Sequence, residues 1–227
     1  MKKVLLTFSE NGKQLLHCSP EAKGSVEIPE NVEAIAFRAF EDCNRITSIV
    51  FPPHLKEIRR RAFSGCSSLT DLQIPSSVRE IGEYAFNGCT NLQNIQLDCK
   101  ISGIERFLFY NCKSLSHIEL PSMVKFIGRR AFYGCQSLRE ITIPQKTYKI
   151  GREAFCQCTK LEKIQLNEGL REIGVNVFNG CSQLKELQIP SSVEVNRSPA
   201  IEAIVQKPHQ QSKIEQLVKR IKSALSV

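Results

Sequence analysis

The sequence predicts an α/β repeat protein, a right-handed solenoid of seven 23-residue coils, and three observations carry that expectation. First, an aromatic and cysteine element recurs as AFEDC, AFSGC, AFNGC, LFYNC, AFYGC, AFCQC and VFNGC, with its phenylalanines at Phe40, Phe63, Phe86, Phe109, Phe132, Phe155 and Phe178, every step 23 residues. Second, other columns keep the same register without insertion or deletion: Ile35, Ile58, Ile81, Ile104, Ile127, Ile150 and Ile173, and Cys43, Cys66, Cys89, Cys112, Cys135, Cys158 and Cys181. Third, one unit places Leu69, Leu72, Ile74, Val78, Ile81, Ala85, Phe86 and Cys89 among mostly polar residues. A single coil cannot bury that apolar set by itself, and stacking on copies of itself can.

The elements follow in chain order. Val4 to Phe8, a turn at Glu10-Asn11-Gly12-Lys13 and Leu15-Leu16 read as an entry hairpin. Within each coil, Leu72-x-Ile74 and its equivalents have the two-residue period of a short strand with one inward face, and the following proline ends it because it has no N–H to give a ladder. Val78 and Ile81 form a second inward pair, and Ala85-Phe86 has the length of one tight helical or 3₁₀ turn. After Pro190 the repeat fails, since Asn196 stands where an Ile is due. Ser198-Pro199 then opens a short helix to about Val205, which Lys207-Pro208 closes. Ile214, Leu217, Val218, Ile221 and Leu225 put a second, amphipathic helix after Lys213. The expected organisation is a hairpin over 1–27, the solenoid over 28–195, and a helical C-terminal cap or tail over 196–227.

The blocks LxxIxIP, VxxIG and AFxxC at a 23-residue period resemble the BspA-like leucine-rich repeat family, over about Val26 to Val193. The departures are few: Asp98 and Asn167 replace Pro, Ala36, Arg59 and Glu105 replace Gly, and Leu108 and Val177 replace Ala. Non-glycine residues at three of the seven Gly positions indicate that a left-handed backbone is not required there. The resemblance implies a leucine-rich repeat solenoid that binds a protein partner, or a glycan as the lesser expectation, with no enzymatic activity of its own. It also implies a surface or secreted protein, whereas the apolar stretch that begins at Val4 stops at Ser9-Glu10-Asn11, short of the ~7–15 residues of a signal h-region. Surface and cytoplasmic placements both stay open at this stage.

Composition narrows the classes further. The chain has 227 residues, 41% apolar, with 31 Lys and Arg against 23 Asp and Glu for a formal charge of +8. No apolar run approaches the ~20 residues of a spanning helix, and the apolar content exceeds that of a disordered chain. Seven of the ten cysteines are one repeated position, so they read as buried, reduced thiols with no metal. Cys156-x-Cys158 lacks the second pair or the nearby histidines that structural zinc wants. Cys18, Cys99 and Cys156 lie outside the column and are expected to be more accessible. His17, His54, His117 and His209 fall at unrelated phases of the repeat, so no catalytic constellation, metal or cofactor is expected. The chain is expected to be a monomer.

Two surfaces remain as candidates for binding. The outward strand columns carry Asp71, Gln73, Asn94, Gln96, His117, Glu119, Glu140, Thr142, Lys163 and Gln165, extended by Ser48, Val50, Glu186 and Gln188. Asp71, Glu119, Glu140 and Glu186 against Lys163 give this face about −3, and it is the expected site for a partner. The alternative is an arginine ridge, Arg60, Arg61, Arg106, Arg129, Arg130 and Arg152, suited to polyanions. Glu83, Glu105 and Glu153 interrupt it, and no nucleic-acid signature accompanies it, so no nucleic acid is expected as a partner. Residues 213–227, with four basic residues and one acid, either cover the last coil or contact an anionic membrane.

Overall fold

The computed structural model describes residues 5–190, 192 and 193. They form a solenoid of about seven coils, with a parallel ladder along each of two sides. On the first side Gly24–Glu27, Ile46–Val50, Asp71–Ile74, Asn94–Leu97 and His117–Ile118 make a five-stranded sheet, and Glu140–Thr142, Lys163–Gln165 and Glu186–Leu187 a three-stranded one. The 23-residue period is the register itself: Asp71 pairs with Asn94 and Asn94 with His117, as Glu140 does with Lys163 and Lys163 with Glu186. On the second side an antiparallel hairpin, Leu6–Phe8 with Gln14–Cys18, continues in parallel into Ala34–Ile35, Glu57–Ile58 and Glu80–Ile81. Gly103–Ile104, Phe126–Ile127, Lys149–Ile150 and Glu172–Ile173 form the last sheet. The entry hairpin thus stands where the sequence places it. The helical cap expected over 196–227 lies outside the described residues.

Among the described residues there is no helix, and the expected helical turn at Ala-Phe does not form. The reason is a pair of left-handed residues in every coil. Arg38, Arg61, Tyr84, Phe107, Arg130, Glu153 and Asn176, each just before the Ala-Phe dipeptide or its equivalent, have φ between 53° and 60°. Asp42, Gly65, Gly88, Asn111, Gly134, Gln157 and Gly180, each just before the column cysteine, have φ between 56° and 79°. An α-helix of L-residues cannot continue through such a residue. The segment instead alternates its N–H groups between two destinations. Phe40 and Asp42 donate to Ala62 and Ser64 of the next coil at 2.7 and 2.8 Å, whereas Ala39 and Cys43 close local turns onto Ala36 and Phe40 at 3.2 and 3.1 Å. Half of each turn is therefore a third inter-coil ladder, which a helix would abolish.

The glycines after the Ile column have a different role, and the sequence argument that φ > 0 is not required there holds. A Cβ on Gly82 would lie 2.5 Å from the backbone nitrogen of Arg60, and one on Gly128 would lie 2.7 Å from that of Arg106. These glycines let one coil close on the backbone of the coil before it.

The core is one continuous column. Phe40 to Phe178 stack face to face with centroids 4.8 to 6.0 Å apart, the spacing at which aromatic pairs add to the energy of plain burial. Beside them the cysteine thiols act as hydrogen-bond donors. Cys66, Cys89, Cys112, Cys135, Cys158 and Cys181 each donate from Sγ to the phenylalanine carbonyl of the preceding coil, at 3.0 to 3.2 Å. Each of these carbonyls also accepts the N–H of its own coil's cysteine, as Phe63 O does from Cys66 at 3.2 Å, so both lone pairs are used. All ten cysteines are free thiols.

The expectation that Cys18, Cys99 and Cys156 are accessible is overturned: they are 1%, 3% and 5% exposed. Cys18 ends the second strand of the hairpin, where Cys43 Sγ donates to its carbonyl at 3.6 Å. Cys99 lies in a turn that has Asp98 in place of the usual proline, and Cys156 follows Tyr110 and Tyr133 in their column. Departures from the repeat are satisfied locally. Asn167, at the other position without proline, donates from Nδ2 to Pro144 O and Thr147 O at 2.8 and 3.0 Å and accepts the Gly169 N–H at 2.7 Å.

Three outcomes are expected. Phe109→Ala opens a cavity between rings that the backbone ladders hold apart, and should cost about 3–5 kcal/mol in chemical denaturation, whereas Gln165→Ala on the exposed face should stay within about 0.5 kcal/mol. Gly88→Ala has no contact closer than 3.7 Å for the new Cβ, so it isolates the cost of a left-handed L-residue, about 1–2 kcal/mol. Gln157→Gly in the same column should move the midpoint the other way. Burial holds the Cys66, Cys89, Cys112, Cys135 and Cys158 thiols well above the ordinary value of 9.0. The unfolded chain releases those protons above pH 9 and the folded chain keeps them, so their contribution is complete below pH 9 and lost as pH rises beyond it. The decline in denaturation midpoint above pH 9 should be shallower in Cys89→Ala/Cys112→Ala.

Candidate functional site

The strand side presents all ten of the residues singled out from sequence, Asp71, Gln73, Asn94, Gln96, His117, Glu119, Glu140, Thr142, Lys163 and Gln165, as exposed side chains. They alternate with buried Leu72, Ile74, Ile95, Ile118, Ile141 and Ile164, so the two-residue period of a strand separates the outward side chains from the packed ones. The register brings some of them together. Asn94 Nδ2 donates to Asp71 Oδ1 at 2.7 Å across one coil step. His117 Nε2 lies 3.7 Å from Glu119 Oε1 of its own coil.

It does not bring His117 onto Glu140. The ladder that joins five coils stops at His117–Ile118 and resumes at Glu140–Thr142, and these two segments are not paired. The interruption coincides with a recess of about 610 Å³ lined by His117, Ile118, Glu119, Leu120, Glu140, Ile141, Thr142, Pro144 and Lys146, among others. A second hollow of about 360 Å³, lined by Asn94 to Asp98, shares His117 and Glu119 with it.

Sequence reasoning missed two contributors on this side. Asp98, noticed only as a substitute for proline, accepts from Gln96 Nε2 of its own coil at 3.0 Å and from Gln73 Nε2 of the preceding coil at 3.3 Å, and so joins two coils at one carboxylate. An acid at a position that is proline in five coils was the available signal. Lys146 comes from the turn after the strand, beyond the two columns that were considered; its Nζ is 3.1 Å from Met123 Sδ.

The arginine ridge is present but largely neutralised, and the repeat does the neutralising. Arg106 Nη2 reaches Glu83 Oε1 at 2.5 Å, one coil step away. Arg130 pairs with Glu153 across the same step, and Arg152 Nε reaches that carboxylate at 2.8 Å. Burial would raise the Glu153 carboxyl, but the two guanidiniums outweigh it and hold the group below the usual range. Arg61 lies 3.5 Å from Glu41 and over the Tyr84 ring at 5.1 Å. Arg60 and Arg129 lie over Tyr84 and Phe107 at 5.7 and 5.8 Å. Tyr84 and Phe107 stack on each other at 4.5 Å. The sequence reading saw the cations and the interrupting acids, but not the aromatic column between them.

Among the described residues no group of three or more His, Cys, Asp and Glu is placed to hold a metal ion, and no helix is long and apolar enough to cross a membrane.

The family model for the BspA type leucine rich repeat region matches residues 18–135 and 102–223. No curated protein matches the chain. Among solved structures, the T. pallidum leucine-rich repeat protein TpLRR is similar with a TM-score of 0.73 at 24% identity, over 89% of this chain and 93% of that one. A leucine-rich repeat protein from Eubacterium ventriosum gives a TM-score of 0.76 at 21% identity, over 84% of this chain and 51% of that one. The pneumococcal vaccine antigen PcpA gives 0.52 at 23% identity, over 75% and 46%. The chain therefore spans about half the length of the last two. At these identities the likenesses establish the fold, while the family model covers most of the sequence: the chain belongs to the BspA-type leucine-rich repeat family.

Proposed function

We propose that the protein is a non-enzymatic recognition module that binds a protein partner through the strand side of its solenoid, with a glycan as the lesser candidate. One observation carries this reading. The exposed strand positions change in charge and size from coil to coil while the positions beneath them stay apolar, so the surface can encode a partner without disturbing the stack. The ladders hold these side chains on a rigid frame, which lowers the entropy lost on binding, and several coils together offer the ~800 Å² per partner that a stable interface needs. A place at the cell surface belongs to the same reading; its support is the family resemblance and the description of PcpA as a vaccine antigen.

The polyanion alternative has Arg60 and Arg129 in its favour, both exposed. The pairing of Arg61, Arg106, Arg130 and Arg152 with carboxylates weighs against it. The two readings separate in one experiment. With a partner captured from extracts of the native organism or its host, His117→Ala/Glu119→Ala/Glu140→Ala should weaken binding at least tenfold, and Arg60→Ala/Arg106→Ala/Arg129→Ala should change it less than about twofold. The reverse result, together with a steep loss of affinity with salt, would move the function to the ridge.

A further inference from the structure

The geometry points to the recess at the interrupted ladder as the docking site for an extended polypeptide segment that carries lysine or arginine side chains. This inference rests on the strand-side reading and adds to it a place and a partner chemistry.

The place follows from the backbone. Every other step along the described strand side, from Gly24–Glu27 to His117–Ile118 and from Glu140–Thr142 to Glu186–Leu187, is a parallel ladder. At this one step the strands are not hydrogen-bonded to each other, and the recess of about 610 Å³ lies there, with buried Ile118 and Ile141 and part-buried Leu120 in its lining. The adjoining hollow of about 360 Å³ has buried Ile95 and Leu97 in its lining and continues the recess across a third coil through the shared His117 and Glu119. Coils stack about 4.7–4.9 Å apart, so the combined trough crosses roughly 10 Å of coil steps, the length of about three extended residues at ~3.3 Å each. It is open along exposed Glu119, Glu140 and Thr142, which suits a chain laid across the coils better than a small molecule enclosed on most sides.

The chemistry follows from charge. The rim carries Glu119, Glu140 and Asp98 against the single cation Lys146 and the imidazole of His117. Glu119 is 91% exposed at its side chain, so its carboxylate projects from the surface. The chain as a whole is +8. A cationic segment is therefore drawn to the acidic strand side of an otherwise positive chain, and the trough is where Glu119, Glu140 and Asp98 gather on that side. In an extended segment side chains alternate, so cations at every second position would face the carboxylates while the intervening residues face away.

The test uses the full chain and a labelled hexapeptide of alternating lysine and alanine, followed by fluorescence anisotropy at low salt, with the alternating glutamate and alanine peptide as its counterpart. The lysine peptide should bind, the glutamate peptide should not, and Glu119→Gln/Glu140→Gln should weaken the lysine peptide at least tenfold with its thermal midpoint unchanged. Arg60→Gln/Arg129→Gln, on the ridge, should leave affinity the same or slightly improved. Equal affinity in the Glu→Gln variant, binding of the acidic peptide, or no binding of the lysine peptide overturns the inference. Self-association of the chain that Glu119→Gln/Glu140→Gln abolishes also overturns it, since the occupant is then a second copy. Failure here and failure of the broader reading are distinguishable. A captured partner lost in the His117, Glu119 and Glu140 alanine variant but untouched by the two Glu→Gln changes removes only the cationic segment; a partner untouched by either removes the strand-side function.

Discussion

Coils of this protein hydrogen-bond to one another along three lines: the exposed strand side and the second strand side, each interrupted at one step, and the turn that carries Ala and Phe, which is continuous. These lines share one constraint, a 23-residue step, and a single inserted residue would reverse the faces of a strand while misaligning the stacked phenylalanines and separating a thiol from its carbonyl. The sequence tolerates changes of residue type in nearly every column and no change of length between Phe40 and Phe178. Spacing is conserved within the chain more strictly than identity because hydrogen bonds and ring stacks depend on position, whereas burial depends only on being apolar and about the right size.

The cysteine column illustrates how a small side chain meets two demands there. Its volume fits beside the ring stack, and its S–H supplies the second donor to a buried carbonyl, which would otherwise keep one unused lone pair. A larger apolar residue would supply packing and no donor. The two left-handed positions per coil work in the same manner: the strain of a left-handed L-residue is accepted because that geometry turns alternate N–H groups toward the next coil. Glycine relieves the strain before the cysteine in four coils, but none of the seven coils has glycine before the Ala-Phe dipeptide. At that position the side chains, among them Arg61, Tyr84, Phe107 and Arg130, contact one another along the stack.

With the frame fixed by inward residues and backbone, the outward residues are released from structural duty. On the ridge they are spent largely on one another, as Glu83 with Arg106, an exposed pair that contributes little to stability by itself, and buried Glu153 with Arg130 and Arg152, and these pairs cancel much of the ridge's charge. On the strand side Glu119, Glu140 and Thr142 are left presented to solvent around the trough. The contrast between a largely self-paired face and a more open one is the physical reason for proposing the strands as the recognition surface.

The sequence by itself determined the coil, its length, its inward positions and the two faces between which function had to be sought, because periodicity is a one-dimensional signal and a stack of identical coils converts it directly into neighbours. It also marked the ten strand-side residues and the six arginines, since outward phase follows from the same period. Only the tertiary structure decided what happens between coils. The turn at Ala-Phe was open to a helical reading because its left-handed residues are ordinary ones, Arg61 or Tyr84, with no glycine to announce them. Cys18, Cys99 and Cys156 lie outside the repeat phase, and their burial depends on what packs over them. The break in the ladder between Ile118 and Ile141 has no counterpart in the sequence, where both coils keep the same apolar pattern; the ladder depends on backbone approach, and residue types report that only indirectly. Gln73 reaches Asp98, and the charges of Arg106 and Arg130 are offset by Glu83 and Glu153, through partners one coil away, a distance that only the stacked structure makes short.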